Sequence, residues 1–370
     1  WSWAGELFGE GEIRELAEGW FSALKALAAY GERPGAGGFT PSDFALVSLS
    51  QSEVELVEAR VPGLEEILPL SPLQQGLLFH ALYEDRGQDV YTVQMSLELT
   101  GSLDPGRLKR AAEALLRRHA HLRAAFLHEG LETPVQAIPA GVRVPWSEID
   151  LSGCGERERE SERQRIVGED YRRRFDPADA PLLRFTLLRV EAGRHELVLT
   201  NHHLLLDGWS SPLLLQELFA LYESGGDDGR LPRATPYREY LAWVERQDRS
   251  GALEQWERVL SGVEEPTRLA PAEAAAGDAG EPETVRVDVS EELTTALKER
   301  AKRHGLTLNT LVQAAWGILL GRLTGRDDVV FGITVAGRPA ELPGVERMIG
   351  LLINTLPLRL RLKPGESLLD

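Results

Sequence analysis

The stretch Asn201-His202-His203-Leu204-Leu205-Leu206-Asp207-Gly208-Trp209-Ser210 decides how the rest of the chain is read. It carries two adjacent imidazoles and a carboxylate, separated by three leucines, out of one apolar run and into another. Upstream, Arg184 to Val190 and Glu196 to Thr200 are β-rich and joined by Glu191-Ala192-Gly193-Arg194, the composition of a hairpin. Downstream, Ser211-Pro212 predicts a helix start, with Leu214, Leu215, Leu218 and Leu221 as its buried stripe and Gly225-Gly226 as its end. The stretch is therefore a corner between strand and helix.

Neighbouring residues of a strand point to opposite faces, so if the strand runs through both histidines, one faces a site and the other the core. An imidazole, with an ordinary pKa of ~6.5, can accept a proton or hold an amine through its free nitrogen at physiological pH. His203 is the candidate for that task. Asp207 is reachable only if the leucines turn the chain back, and Gly208 then supplies either a positive φ or a close backbone approach. A short carboxylate among leucines needs a cation, because an unpaired buried charge is costly, so Asp207 is expected to pair with an arginine and fix the loop. A metal site lacks ligands: the histidines diverge and no further His or Cys stands at ligand spacing. Neither a G-x-S-x-G elbow nor a G-x-x-x-x-G-K-[ST] phosphate loop occurs, so activation by ATP happens elsewhere.

A chain of 370 residues exceeds the ~250–300 at which single cores stop growing, which predicts more than one domain. Hydrophobic residues at 42% and charged residues at 27% are ordinary for a soluble globular protein. The net charge of −17 argues against a nucleic-acid face. In ERERESERQRIVGEDYRRRF the signs nearly balance, the pattern of a solvated helix face. A lone Cys154 fits a reducing compartment. WSWAGELFGEGEIREL lacks a basic start and an apolar run, and no window approaches the ~20 apolar residues of a membrane helix, so a cytoplasmic protein is expected.

Along the chain, Ile13, Leu16, Trp20, Leu24 and Leu27 recur at helical spacing ahead of ERPGAGGFTP. Ser50-Gln51-Ser52-Glu53 is a capping box opening a short helix closed by Pro62-Gly63, and a second domain begins near Glu66. YTVQMSLEL (Tyr91 to Leu99) alternates as a strand, and Asp104-Pro105 opens a helix bearing Leu108, Ala112 and Leu115. From Gly262 to Glu283 the chain turns to Ala, Gly, Pro and Glu without periodicity, the signature of a connection between lobes. Beyond it, TVRVDV predicts a strand, Glu291 to His304 and Asn309 to Leu323 predict helices, and DVVFGITVAGR a further strand.

HHLLLDG matches the HHxxxDG signature of the chloramphenicol-acetyltransferase-like superfamily, and WSSPLLLQEL continues it in the manner of nonribosomal peptide synthetase condensation domains. SPLQQGLLFHAL (Ser71 to Leu82), RHAHLRAAF (Arg118 to Phe126), YREYLAW (Tyr237 to Trp243) and IGLLINTLPLRL (Ile349 to Leu360) resemble that family's first, second, fourth and fifth motifs, in order. The resemblance implies an α/β (α+β) fold of two lobes in a V, with a tunnel reached from both sides by phosphopantetheine arms. It implies residues 1–34 as the tail of an upstream epimerization (or condensation) domain and 35–65 as a linker. Residues 66–261 would be the N-terminal lobe, 262–283 the interlobe connection and 284–370 part of the second lobe, which is expected to be incomplete because the sixth and seventh motifs are missing.

The implied activity is peptide-bond formation, in which a carrier-bound aminoacyl amine attacks a carrier-bound peptidyl thioester. By motif, His203 positions or deprotonates that amine, with His202, Asp207 and Gly208 completing the catalytic stretch. Arg338, in TVAGRP, is the expected partner of Asp207, and Asn354 is the asparagine of the fifth motif. No cofactor or metal is bound directly. Partners are donor and acceptor carrier domains and neighbouring adenylation and epimerization domains, with no nucleic acid and no membrane. DGWSSPLLL differs from the DxVSWRIL style of epimerization domains, and intact histidines differ from cyclization domains. The upstream tail favours a donor ending in a D-residue. FHALYEDRGQD has Ala81 where a dual epimerization-condensation domain has its second early histidine. Alternative readings are such a dual domain, an inactive recruitment module, or an acyl-coenzyme A acyltransferase of the same superfamily.

Overall fold

The computed structural model describes residues 1–31, 37–83, 89–270, 285–363 and 365. A mixed four-stranded sheet carries the histidine corner, in the order β2 (Thr92–Thr100), β7 (Arg194–His202), β6 (Leu183–Glu191) and β5 (Trp146–Asp150). β6 and β7 are the expected hairpin, closed by Ala192-Gly193 with Gly193 at φ +72°, a backbone that glycine adopts without steric cost. β2 runs antiparallel to β7, with Thr92 opposite His202, and β5 runs parallel to β6.

Alternation sorts the two faces of this sheet. Leu183, Phe185 and Leu187 of β6 and Leu197 and Leu199 of β7 are buried in the main core beneath α4 (Pro105–Arg118) and α6 (Ser210–Ser224). Each such side chain contributes about 1.5–3 kcal/mol through removal from water. Across the other face lies α5 (Glu156–Arg172), the arginine-rich stretch, whose Ile166 packs on Leu151 and Leu188. Its solvated side is laced by pairs such as Arg163–Glu160 at 2.8 Å and Arg165–Glu169 at 2.6 Å, as the balanced charges predict.

A smaller sheet has the order β1 (Leu64–Pro69), β4 (Val135–Pro139), β3 (Ala125–Leu127). It is covered by α2 (Gln51–Arg60), whose Ser50 cap forms the reciprocal bonds of a capping box, Glu53 N–H to Ser50 Oγ at 3.3 Å and Ser50 N–H to Glu53 Oε2 at 2.8 Å. Val54 and Val57 of α2 pack with Phe44, Ile67 and Ala125, so part of the stretch read as a connection belongs to this satellite core. α3 (Pro72–Tyr83) follows β1, whereas α1 (Glu10–Gly31) buries none of its residues. α7 (Tyr237–Glu245) and α8 (Arg249–Leu260) follow α6.

The remaining elements are α9 (Glu291–Arg303), α10 (Leu308–Thr324), and β8 (Asp328–Ala336) paired antiparallel with β9 (Ile353–Arg361). The strand expected over TVRVDV does not form across 285–289, where Val285 is 87% exposed. Alternation alone does not make a strand: its N–H and C=O groups need a neighbouring edge, and none among the described residues pairs with this segment. Thr284 and most of the 262–283 connection lie outside the described residues. Between β8 and β9 the chain dips into the main core through Leu342, Val345, Met348, Ile349, Leu351 and Leu352. That excursion brings the backbone of Gly350 and Leu352 against the histidine corner.

The second motif packs beneath the same corner. His119 Nε2 lies 2.7 Å and Arg118 Nε 2.9 Å from Glu217 on α6. Burial pushes the Glu217 carboxyl up, but these two groups outweigh it and hold it below the usual carboxylate range. His121 is buried against the Tyr237 ring, 5.0 Å between centroids, with Nε2 unpartnered beside a cavity of about 100 Å³. Burial, and secondarily the charge of His119, pushes His121 down to about 3. A histidine that binds its proton near pH ~6.5 when unfolded but only near 3 when folded gives the unfolded chain more protons in that window. Stability therefore falls as pH drops from about 6.5 towards 3, by up to about 1.4 kcal/mol per pH unit. His121→Gln, which cannot titrate, should show a shallower acid decline in denaturant unfolding followed from pH ~7 to ~4. An unchanged slope would assign the decline to other groups.

Candidate active site

β7 ends at His202, and His203 already belongs to the turn. The His202 N–H donates to Leu182 O at 2.9 Å, the His203 N–H to Tyr91 O at 2.8 Å, and the Leu205 N–H closes the turn onto His202 O at 3.1 Å. The strand stops between the two residues, and only the first ring is wholly buried. His202 is wholly buried, and its Nδ1 accepts the Leu204 N–H at 3.0 Å, which places the ring proton on Nε2. That nitrogen lies 3.1 Å from Asp89 Oδ2, within ion-pair reach but oblique to a straight hydrogen bond. Burial works against the charge of Asp89, yet the His202 ring, the Tyr91 amide and Arg174 prevail and hold its carboxyl below the usual range.

Leu204, Leu205 and Leu206 are buried in the main core, so the turn between the histidines and Asp207 is anchored by apolar packing. The Leu204 carbonyl accepts from Gln74 Nε2 at 2.9 Å. Gln74 stands at the start of α3, where Ser71 N–H donates to its Oε1 at 2.9 Å and its own N–H donates to Ser71 Oγ at 3.3 Å. The Ser71-x-x-Gln74 pattern is a capping box whose glutamine has a side-chain NH2 left to hold the loop.

His203 is half-buried. Its Nδ1 is enclosed without a hydrogen-bond partner, while Nε2 is neither enclosed nor bonded to any described residue. It is the one ring nitrogen of the pair left free to meet another molecule. Further along the turn, Gly208 and Trp209 are exposed, and a Cβ added at Gly208 would meet no atom within 4 Å. The positive φ entertained for Gly208 is not observed, since its φ lies outside the left-handed region. The turn is closed by Asp207 instead.

Asp207 is buried and ties the start of α6 to the segment between β8 and β9. Its Oδ1 accepts the Ser210 N–H at 2.8 Å, its Oδ2 accepts the Leu352 N–H at 2.9 Å, and Arg338 Nη2 lies 3.5 Å from Oδ1. Its own N–H donates to Gly350 O at 3.1 Å. Helix α6 therefore starts at Ser210 rather than after the expected Ser211 cap. Trp209 in the cap position offers no side-chain bond, and the Asp207 carboxylate takes the first free amide and meets the positive end of the helix dipole. Ser210 Oγ donates to Gly350 O at 2.8 Å and accepts from Gly350 N–H and Arg338 Nη2, each at 3.0 Å. Arg338 also donates to Met348 O at 2.9 Å and to Val345 O, and lies 5.6 Å from the Trp209 ring centroid. Burial pulls Arg338 below its ordinary value, and Asp207 and Glu346 offset this in part. Gly337 and Gly350 make the approach possible: a Cβ would overlap the Leu352 carbonyl at the first and the Tyr237 ring at the second.

His202, His203, Asp207 and Arg338 are thus brought together. Asn354 is not bonded to them: it lies on β9 opposite Val335, and its Oδ1 accepts the Thr355 N–H at 2.9 Å. Asp89, Tyr91, Gln74, Ser210 and Gly350 join the constellation without having been singled out by the sequence. Tyr237 of the fourth motif joins as well, its hydroxyl donating to Leu351 O at 2.7 Å. Among the described residues no group of His, Cys, Asp and Glu could hold a metal ion, and no helix is long and apolar enough to cross a membrane.

Removing the Asp207 carboxylate leaves a buried guanidinium without its counter-charge and two amides without their acceptor, a loss of about 3–5 kcal/mol. Asp207→Ala is expected to lower the unfolding midpoint strongly, and Asp207→Asn, which keeps one acceptor oxygen, to lower it less. A normal midpoint in denaturant titration of Asp207→Ala would contradict this role.

A family model described as the condensation domain matches residues 64–370. One of the linear gramicidin synthase proteins of Brevibacillus parabrevis is 39% identical over 372 residues, covering 99% of this chain and 5% of that protein. Bacitracin synthase 3 of Bacillus licheniformis is 36% identical over 368 residues, 97% of this chain and 6% of that protein. The chain thus spans a small fraction of the curated relatives it matches. The first condensation domain of the calcium-dependent antibiotic synthetase, in complex with a substrate analogue, superposes with a TM-score of 0.64 at 28% identity, over 81% of this chain and 71% of that one. The condensation domain of the monacolin K polyketide synthase MokA shares the fold with a TM-score of 0.65 at 20% identity, over 81% of this chain and 68% of that one. With the family's match running through the HHxxxDG corner, the chain belongs to the condensation-domain family of nonribosomal peptide synthetases.

Proposed function

We propose that this chain joins two carrier-tethered acyl groups by an amide bond, with His203 Nε2 at the reacting amine. The observation that carries the reading is that nitrogen, unbonded among the described residues, on a turn that is otherwise held on all sides. The aminoacyl nitrogen attacks the peptidyl thioester carbonyl, a C–N bond forms, and the C–S bond breaks to release the donor arm's thiol. The nitrogen gives up one proton and the leaving sulfur takes one. An imidazole nitrogen with no other partner can accept that proton or hold the N–H in line. His202 and Asp207 hold the turn, Arg338 holds Asp207, and Gly208 is assigned to the approach of the reacting groups on the strength of its motif and of the open space around it. Asn354 is assigned a supporting role on the strength of its motif alone.

Phosphopantetheine arms of donor and acceptor carrier domains deliver the substrates already activated as thioesters. Adenylation and epimerization domains of the same synthetase are its neighbours. Residues 1–34 read as the tail of an epimerization domain followed by a linker, which favours a donor ending in a D-residue. The dual epimerization-condensation reading is weakened by Ala81, next to His80 on α3.

The test supplies donor and acceptor carrier domains loaded with a peptidyl group ending in a D- or L-residue and with an aminoacyl group, and follows the product by mass. Product from the D-donor in preference to the L-donor is expected. His203→Ala should lower the rate by about 10²–10⁴-fold, the usual worth of acid–base catalysis. Undiminished turnover would remove His203 from the chemistry. Gly208→Ala should melt like the wild type, because the added methyl meets no protein atom, yet lose about 100-fold in rate through displacement of the reacting groups. Full activity of the Gly208→Ala variant would show that the open space is not used.

A further inference from the structure

We infer that Asp89 is a positioning residue for the proposed reaction, one carboxylate that sets the register of both histidines. The inference rests on the assignment of His203 above and concerns a side chain more than a hundred positions away in sequence. Asp89 stands just ahead of β2 and is 6% exposed. Its Oδ1 accepts the Tyr91 N–H at 2.9 Å, and the Tyr91 carbonyl accepts the His203 N–H at 2.8 Å. Its Oδ2 lies 3.1 Å from His202 Nε2, and the other nitrogen of that ring accepts the Leu204 N–H at 3.0 Å. Its carbonyl accepts the N–H of Thr92, the residue paired with His202 across the sheet, at 3.1 Å. One oxygen therefore acts on His203 through a single residue of backbone, and the other acts on His202 directly, at the point where β7 runs out.

A carboxylate suits this place because the Tyr91 N–H donates to one oxygen while the His202 Nε2–H lies within ion-pair reach of the other, and both oxygens only accept. An asparagine has one acceptor oxygen, so its NH2 would face either the Tyr91 N–H or the His202 Nε2–H. The ring cannot escape by moving its proton to Nδ1, since that nitrogen is committed to Leu204. An aspartate serving only to shape the turn would account for the Oδ1 bond to Tyr91, two residues on, but not for Oδ2 against a wholly buried ring.

The experiment compares wild type, Asp89→Asn and Asp89→Glu as full chains, with loaded carrier domains supplied in trans and with histidine rings labelled for ¹³C/¹⁵N NMR. In the wild type, the His202 ring should show the tautomer with its proton on Nε2. Asp89→Asn should change or broaden that signal and lower kcat by about 10- to 100-fold, the loss of a close contact to a charged carboxylate, with little change in KM for the acceptor. Asp89→Glu, which restores two acceptor oxygens, should recover part of the rate. In a His203→Ala background, Asp89→Asn should cost nothing further. The proposal is overturned if Asp89→Asn lowers the melting point but leaves kcat of the folded protein and the His202 tautomer as they were, or if the wild-type ring is protonated on Nδ1. An Asp89→Asn chain that fails to fold leaves that wild-type tautomer and the Asp89→Glu kinetics to decide. A wild type that makes no product would sink the proposed function, while the ring signals would still decide the part played by Asp89.

Discussion

The carboxylate of Asp207 is the constraint on which the arrangement depends. It is buried, it accepts from the start of α6 and from Leu352 at the foot of β9, and Arg338 stands beside it. A charge in that position tolerates no loose geometry, because desolvation costs several kcal/mol per ion and only full pairing and hydrogen bonding repay it. The same carboxylate lies at the amino end of α6, where the helix dipole favours it. Helix start, contact with the foot of β9 and charge pairing are one interaction, so the corner that carries His203 cannot shift without disturbing all three.

The motifs scattered along the chain become intelligible once that interaction is in place. Gln74 of the first motif holds the Leu204 carbonyl, His121 of the second packs on Tyr237 of the fourth, and Tyr237 bonds to Leu351 of the fifth. Each contact ends on backbone or ring atoms that neighbour the histidine turn, and each buried polar group that bonds in this way avoids the penalty of being left unpaired. Small residues at 337 and 350 let the backbone between β8 and β9 come near enough for the bonds to form.

Much of this is legible in the sequence because its periods are local. The hairpin of β6 and β7, the stripe of α6 and the capping box of α2 are all patterns within a few residues, and each is present. The Asp207–Arg338 pairing follows from cost, since a carboxylate among leucines needs a cation, and the motif resemblance supplies the particular arginine. Non-local partnerships leave weaker traces. Asp89, ahead of a strand, reads as a turn residue, and nothing in its neighbours points to a ring that the sheet register delivers from β7. Val285, Val287 and Val289 alternate as a strand would but have no edge to pair with among the described residues, and pairing is a property of the fold rather than of the segment. The α6 cap falls ahead of Ser211, where composition places it, because Asp207 reaches forward over two residues to serve a helix that begins at Ser210.

The division of labour between the adjacent histidines follows from where the strand stops. A residue inside the ladder is held by its pairing and faces the packed interior, so His202 becomes a support whose two nitrogens are engaged by Leu204 and Asp89. One position later the backbone has left the ladder, and the ring of His203 is fixed only through its main chain, by the Tyr91 carbonyl. The turn that follows is pinned at Leu204 by Gln74, buried at three leucines and clamped at Asp207, which leaves its backbone little freedom to lose when a second molecule arrives. Orientation entropy of that kind accounts for a large share of what an enzyme contributes to a reaction between two bound groups. Rigid surroundings around a ring with one accessible, unbonded nitrogen are therefore what the chemistry of joining an amine to an acyl carbon requires.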